Sequence, residues 1–457
     1  MANITRISTS IRRSASSIRS AIRGRAVLET PYVTSYLTEH FGEVDYPSIE
    51  GYESVGGYQA ARKALREMSS EDVIELVKIA GLQGRGGAGF SAGMKWSFMP
   101  KDNERPKYLV CNADESEPGS YKDRILLERG AHQMLEGILI AAWATGASAT
   151  FIYIRGEYAF PADQVERAVA EAYAKGYLGD NVMGTGFRHD VRVTRGAGAY
   201  ICGEETGLLE SLEGKKGQPR KKPPFPAQYG AFGMPTTVNN VETFSHVPHI
   251  VEKGADWFRS FGTEKSPGTT IFGVSGHVVR PGLYELPLGT PLSEIVFEHA
   301  GGVPGGRKVK GVIPGGMSMP ILPAGQLDVP MANEFLREQK TMLGTGGVMV
   351  MDETTCMVRV ASVISYFFRD ESCGQCTQCR EGTGWMNKIV DRIERGAGED
   401  EDLEVLLDVA GKMEAKTICA FADAAAWPIQ GLLRHFRDDF VEHVRQQKCP
   451  FSESFEL

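Results

Sequence analysis

The chain lacks an uninterrupted apolar run. Its most hydrophobic stretch, Met134 to Ile154, is broken by Glu136, Gly137 and Gly146, and reads as a buried helix followed by a strand. That argues against a direct membrane span. It also lacks excess positive charge: 50 Lys and Arg stand against 58 Asp and Glu, and the net charge of −8 argues against nucleic acid as a main partner. Cysteine is scarce, with eight residues at 111, 202, 356, 373, 376, 379, 419 and 449. These are too few and too clustered for a secreted disulfide framework and suit a reducing compartment. Nine scattered histidines offer no catalytic triad, and there is no internal repeat. The remaining composition, 42% hydrophobic and 24% charged, is that of an ordinary globular protein long enough for two to four domains.

What is present is concentrated in a few places. Cys373-Gly-Gln-Cys376-Thr-Gln-Cys379 is followed by a solitary Cys419. Three thiols at this spacing converge on one volume, and a fourth closes the site from a neighbouring segment, as for one [4Fe–4S] cluster. Zinc is the rival, although its four-thiolate sites are usually two separated pairs. Arg380-Glu-Gly-Thr383 carries no further cysteine, so the two-cluster ferredoxin run does not apply. Cys449-Pro450 competes with Cys419 as fourth ligand, and Cys356 reads as a small core residue.

Residues 1–28 carry six arginines and no acid, with Ile4, Ile7, Ile11, Ile18 and Ile22 near helical spacing. This is the composition of an organelle transit peptide or of a basic arm that binds an acidic neighbour.

Beyond it, a helix from Ser70 runs into Gly84-Arg-Gly-Gly-Ala-Gly89, and Lys107–Cys111 is a strand ending in Asn112-Ala-Asp-Glu-Ser-Glu-Pro-Gly119. A helix over 131–146 feeds a strand over 149–155. Pro161 starts another helix, 189–194 is a strand, and Gly196-Ala-Gly198 leads to a helix near 204–213. Strands alternating with helices predict a largely parallel α/β sheet with ligands at the strand C-terminal ends. Lys215 to Pro226 is a stiff basic loop, 265–330 is β-rich, and the pattern is helical from Thr354. The expected divisions are 1–50 (arm or targeting segment plus linker), 51–250 (α/β), 251–340 (β-rich) and 341–457 (helical).

Gly84-x-Gly86-x-x-Gly89 matches a dinucleotide fingerprint but follows a helix rather than a strand, so alone it reads equally as a surface turn. Gly196-Ala-Gly198 with Gly203 offers a second phosphate cradle. Asn112, Asp114, Glu115 and Glu117 follow an apolar strand, where they can hold a ring edge or a ribose, and Lys95 supplies a positive charge. Asn239 and Asn240 alone would read as a helix cap.

Taken in order, Gly84–Phe90, Cys111–Gly119, Gly198–Thr206, Pro223-Pro-Phe-Pro226, Asn239–Thr243 and the cysteine set resemble the family of FMN- and NADH-binding subunits of respiratory NADH:quinone oxidoreductase (complex I). The resemblance covers roughly residues 50–450. It implies a Rossmann-like FMN domain, a ubiquitin-like (β-grasp, SLBB-type) domain and a C-terminal helical bundle with one [4Fe–4S] cluster. It places the glycine loop (Gly84, Arg85, Gly86, Gly87 and Gly89), Lys95, Asn112, Asp114, Tyr200, Gly203, Glu204, Asn239 and Asn240 around FMN, and counts Glu115 and Thr243 among the cofactor-binding residues. Phe90, Phe98, Glu117, Glu205 and Phe225, with Lys95, would meet NADH, and Cys373, Cys376, Cys379 and Cys419 would ligate iron. The glutamates Glu117 or Glu205 would repel a 2′-phosphate.

The implied activity is hydride transfer from NADH to FMN, then single electrons to the cluster and on to partner clusters toward quinone. The implied partners are a thioredoxin-like [2Fe–2S] subunit and a large iron–sulfur subunit. The implied place is the cytoplasmic side of the bacterial inner membrane, with the mitochondrial matrix side as alternative. A diaphorase subunit of an NAD-linked hydrogenase or formate dehydrogenase shares this core, and a zinc-stabilised scaffold without flavin is the alternative of a different class.

Overall fold

A computed structural model describes residues 33–101 and 105–451; the basic segment 1–28, with its transit-peptide or arm reading, lies outside them. The first helix to approach the glycine loop is set by local chemistry. Ser69 and Asp72 form a reciprocal capping box at the start of Ser70–Ala80, and Gly81 ends it in the left-handed region at φ 71°. Val73, Val77 and Ala80 are buried on one face of it.

Four short strands then form an all-parallel sheet: β1 (Tyr108–Ala113), β2 (Ala149–Ile154), β3 (Asp190–Arg195) and β4 (Thr236–Asn240), in the order β3-β2-β1-β4. The chain moves outward from β1 to β3 and returns on the other side of β1. The β1/β4 boundary is therefore a switch point, where a ligand crevice opens beyond the strand ends. Helix Ala131–Thr145 lies almost wholly in the core. Its Gly137 is required there, because a Cβ would collide with the Phe244 carbonyl of helix Val241–Lys253. Helix Ala159–Ala174 starts two residues before Pro161, which occupies a first-turn position whose N–H has no intrahelical partner.

A second sheet contains β5 (Thr269–Gly276), β6 (Gly282–Pro287), β7 (Val309–Ile313), β8 (Leu322–Pro323) and β9 (Gly347–Asp352), ordered β6-β5-β9-β7-β8. Its first and last strands are parallel neighbours in the centre, flanked by antiparallel strands, which is the β-grasp arrangement. Two expectations are corrected. The sheet does not close by residue 340, because β9 completes its centre after an intervening loop. Nor is the stretch before residue 50 a linker where it is described. Glu285 of β6 accepts the amides of Ser35, Leu37 and Thr38 at 3.0, 3.1 and 3.0 Å, anchoring that stretch in the core.

From Met357 the chain is helical, with segments Met357–Glu371, Thr377–Glu394, Asp402–Met413, Phe421–His435 and Arg437–Gln446. One hydrophobic cluster runs from this bundle through Ile201, Leu208 and Val238 into the parallel sheet. Among the described residues no helix is long and apolar enough to cross a membrane.

Candidate functional site

Asn112 and Asn240 face each other in the β1/β4 register, at the switch point. The glycine loop lies directly on this pair: a Cβ on Gly86 would sit 3.2 Å from Asn240 Cβ. Gly87 and Gly89 have φ of +114° and +68°, backbone that side chains rarely adopt. The loop is tied down by Gly84 N–H to the Phe90 carbonyl at 2.8 Å. Its Arg85 N–H donates to Thr243 Oγ1 at 2.9 Å.

Two of the expected cofactor-binding residues, Arg85 and Thr243, have protein partners in this geometry. The Arg85 guanidinium is buried and donates to the carbonyls of Gln83, Pro267 and Thr269, so it clamps the loop to the second sheet. Thr243 is fully buried and spends its hydroxyl on the loop amide. Both side chains hold the loop in place.

The polar run after β1 divides in the same way. Asn112 Nδ2 donates to the Gly203 carbonyl at 2.8 Å, and its Oδ1 accepts the Asp114 amide at 3.1 Å. Glu115 turns inward instead. Its oxygens accept the amides of Asp123 and Arg124 at 2.9 and 3.0 Å, capping helix Lys122–Arg129, and burial pushes its carboxyl up to about 7. Glu117 accepts the Tyr200 hydroxyl and the Ser318 amide, each at 2.6 Å, so both its oxygens are engaged.

Asp114 is different. Ser116 Oγ donates to its Oδ2 at 3.0 Å, while Oδ1 is buried without a hydrogen-bond partner. Burial pushes this carboxyl up from 3.8 to about 7. The folded state therefore keeps a proton that the unfolded chain releases, and stability declines as pH rises from about 4 to about 7 and stays lower above it. Asp114→Asn is expected to shrink the difference in thermal midpoint between about pH 5 and about pH 8. An unchanged difference would mean the carboxyl is not an unpaired buried group.

The second cradle is also corrected. A Cβ on Gly198 would strike the Glu157 carboxylate at 2.9 Å, and one on Gly196 would strike the Tyr153 hydroxyl at 2.8 Å, so these glycines serve a close loop crossing beside an acid. The helix they lead to, Glu205–Leu212, is capped by its own Glu204, which accepts the amides of Thr206 and Gly207 at 2.8 and 2.9 Å. Gly203 alone joins the β1 end, where its carbonyl accepts Asn112 Nδ2 and a Cβ on it would lie 3.4 Å from Asp114 Oδ2. Asn239 accepts the Trp96 indole N–H at 3.0 Å. Asn240 caps helix Val241–Lys253, as its isolated reading expected, and also donates to Asp123 Oδ2 at 2.5 Å.

Next to Glu204, a charged trio forms. Glu205 accepts Lys95 Nζ at 2.9 Å and Lys222 Nζ at 2.7 Å, and Lys222 also reaches Glu204 at 3.1 Å. Burial opposes ionisation of Glu205, but the two ammonium groups outweigh it and hold the carboxyl down at about 2. Sequence reasoning misses Lys222; its only signal is a place in the basic loop. Three aromatics are conspicuously exposed, Phe90, Phe98 and Phe225 at 53%, 54% and 55%; the Phe90 and Phe98 rings are 6.2 Å apart, and Phe98 and Phe225 each follow a lysine of the trio by three residues. Rings left in solvent beside paired charges suit stacking on a planar ligand.

The thiols form the other half. Cys376 and Cys379 sit at the N-terminus of helix Thr377–Glu394, and Cys419 immediately precedes helix Phe421–His435. Two positive helix ends thus flank the same set and favour a negatively charged occupant. Burial pushes Cys379 up to about 11 and Cys419 up to about 12, each further raised by neighbouring thiols of the set. Ile418 N–H approaches Cys376 Sγ at 3.5 Å and Ser372 Oγ lies 3.3 Å from Cys379 Sγ.

A single tetrahedral zinc with Zn–S of about 2.3 Å needs sulfurs about 3.8 Å apart. Among the described residues, no three of these four sulfurs lie within 4.8 Å of one another. The set has the donors of a cluster, four free thiols. Cys449 does not join it and lies with Cys356.

The two halves meet. Tyr200, held by Glu117, packs edge-on against Phe367, Phe368 and Phe421 at 5.2, 6.1 and 5.8 Å. Glu204 of the β1-side loop is near enough to raise the Cys419 thiol.

Three family descriptions match the chain: the Nuo51 FMN-binding domain over residues 77–249, an SLBB domain over 271–322, and the NADH-ubiquinone oxidoreductase-F iron-sulfur binding region over 359–443. The chain is 53% identical over 411 residues to the second F-type subunit of NADH-quinone oxidoreductase of Rhizobium meliloti, across 89% of this chain and 98% of that one. It is 49% identical over 426 residues to the F-type subunit of NADH-quinone oxidoreductase of Mycobacterium bovis, across 92% and 95%. Among solved structures it resembles a chain of the NAD+-reducing [NiFe]-hydrogenase in the air-oxidized state. The TM-score there is 0.81 and the identity 36%, over 96% of this chain and 73% of that one.

Proposed function

The chain belongs to the family of F-type subunits of NADH-quinone oxidoreductase, and from that premise we propose that it is the NADH-oxidising subunit of a multi-subunit respiratory complex. FMN and a [4Fe–4S] cluster, when bound, supply the conversion of a two-electron hydride donor into single-electron transfers. The bare glycine backbone, the orphaned Asp114 Oδ1 and the four separated thiols fit these two groups.

In this reading the protein contributes alignment and electrostatics rather than a nucleophile. The backbone of Gly84, Gly86, Gly87 and Gly89, with Asn112, Asp114 and Gly203, holds the flavin. Phe90, Phe98 and Phe225 bracket the nicotinamide nucleotide, and Lys95 and Lys222 hold its anionic part. Cys373, Cys376, Cys379 and Cys419 hold the iron. The observation that carries the proposal is the Tyr200–Gly203 turn. The Gly203 carbonyl accepts Asn112 Nδ2 at the sheet's switch point, while Tyr200 packs against Phe368 and Phe421 of the helical region that holds the cysteines. Purified chain loaded with flavin, iron and sulfide should oxidise NADH with an artificial acceptor. Loss of that activity without FMN and its return on adding FMN would be the expected pattern; flavin-independent oxidation would contradict it.

Glu205 sets nucleotide preference in a way that the trio reshapes. Its charge is balanced by two lysines, so Glu205→Gln frees an extra positive charge beside the nucleotide. The kcat/KM for NADPH relative to NADH is expected to rise about tenfold, within the range of one charge pair near a protein surface. Equal ratios in the two proteins would remove Glu205 from the specificity determinants.

As finer proposals, the next electron acceptor is a thioredoxin-like [2Fe–2S] subunit alongside a large iron–sulfur subunit. The site lies on the cytoplasmic side of a bacterial inner membrane, with the matrix side of a mitochondrion as the alternative. The domains are those divided near residues 250 and 340, with β9 contributed from beyond the second boundary. The likeness to the NAD+-reducing [NiFe]-hydrogenase favours a second reading, a diaphorase subunit. Co-purification with quinone-reductase subunits or with hydrogenase subunits separates the two.

A further inference from the structure

A second group of metal-ligand side chains lies in the helical region, apart from the four cysteines assigned to iron. We propose that Cys356, Glu394, His443 and Cys449 bind one structural Zn2+ ion. Their ligand atoms all lie within 4.8 Å of one another. Cys356 Sγ is 3.4 Å from His443 Nε2 and 4.0 Å from Glu394 Oε2, and those nitrogen and oxygen atoms are 3.8 Å apart. A tetrahedral zinc with bonds of about 2.0–2.3 Å to N, O and S separates its ligands by about 3.4–3.8 Å. Cys356, Glu394 and His443 therefore need to move by only a few tenths of an ångström, and Cys449 by about 1 Å at most.

The surroundings prepare each donor. His443 is fully buried, and its Nδ1 lies 2.6 Å from the Asp439 carbonyl. That acceptor places the proton on Nδ1 and leaves the Nε2 lone pair facing Cys356, the carbonyl-oriented imidazole of metal sites. Glu394 divides its oxygens: Oε1 takes Arg359 Nη1 at 3.3 Å, and Oε2 faces the site. Two thiolates, one carboxylate and a neutral imidazole on Zn2+ leave one net negative charge, which Arg359 offsets. Binding releases the two thiol protons to solvent and involves no change of oxidation state. Two sulfurs, one imidazole and one carboxylate are donors zinc accepts, in the closed four-ligand form of structural sites.

The position gives the site a purpose. Cys356 is the N-cap of helix Met357–Glu371, accepting the Arg359 amide at 3.3 Å, and that helix leads directly into Cys373. Glu394 ends helix Thr377–Glu394, which begins at Cys376. Cys449 lies beyond the final helix. Zinc would fasten the C-terminal segment to both helices that present the cysteine triplet.

The test uses full-length chain purified without oxygen, carrying flavin and iron, and incubated with Zn2+. One zinc per chain is expected, with an X-ray absorption shell of two sulfurs and two nitrogen or oxygen atoms. His443→Gln and Cys449→Ser should each lose that zinc while keeping the iron and flavin of the parent. An all-sulfur shell would place zinc in the other cysteine set and overturn the proposal. Zinc below a tenth of an equivalent, zinc retained in both variants, or a Cys356–Cys449 disulfide in the parent would do the same. If the variants do not fold, the content and shell of the parent protein still decide.

Discussion

Cys419→Ala is expected to strip the chain of its cluster, taking iron from about four atoms per chain to almost none and abolishing the low-temperature EPR signal of the reduced cluster. Cys449→Ala is expected to leave both in place. The asymmetry follows from position. Cys419 lies just before the N-cap of helix Phe421–His435, with its thiol raised by burial and further by Glu204, Cys373 and Cys379, whereas Cys449 Sγ is grouped with Cys356, Glu394 and His443. NADH oxidation by a small artificial acceptor should persist in Cys419→Ala, because the flavin side of the site does not use that thiol. Electron delivery to the rest of the complex should fail. A cluster signal that survives in Cys419→Ala and disappears in Cys449→Ala would reverse the ligand assignment.

Lys122→Met should destabilise the flavin region by about 3–5 kcal/mol, because it removes one partner of a buried charge network and strands the others. Lys122 Nζ lies 2.7 Å from both Asp123 Oδ1 and Glu242 Oε2, and all three residues are no more than 3% exposed. Asp123 in turn accepts Asn240 Nδ2, and Glu242 accepts Thr270 Oγ1 and the Ile271 amide at 2.9 and 3.0 Å. The network thus ties the switch-point asparagine to the second sheet. For a region of this size the loss corresponds to a fall of about 6–20 °C in thermal midpoint.

Burial opposes the charge on Glu242, but Lys122 outweighs it and holds that carboxyl well below the usual range. Its contribution to stability is present above the usual carboxylate range and is lost as pH falls below it. Lys122→Met should remove that part of the acid sensitivity. A midpoint within about 2 °C of the parent would show that the network contributes little.

Local signals carried most of the architecture. The capped start at Ser69 and the apolar strand before Asn112 are readable because they depend on neighbouring residues. The cysteine spacing is readable for the same reason. What stayed hidden depends on partners far along the chain. Asp114 and Glu115 are adjacent acids after one strand, yet one is left with an unpaired buried oxygen and the other caps a helix. Arg85 sits in the glycine loop, and only the distant Pro267 and Thr269 carbonyls reveal where its guanidinium goes. Lys222 gains its meaning only when the basic loop folds back onto Glu204 and Glu205. Strand β9 was hidden because its pairing partners, β5 and β7, are distant in sequence.

The central claim is that one chain joins an NADH-reducible flavin to a [4Fe–4S] cluster. Stepwise addition of NADH to the purified, oxygen-free chain, followed by visible absorption and low-temperature EPR on the same sample, tests it most directly. The expected result is bleaching of a flavin present at one per chain, together with the appearance of a cluster signal from about four irons per chain. Zinc in place of iron at the four cysteines, or a flavin reduced by NADH with no cluster signal following it, would contradict the claim.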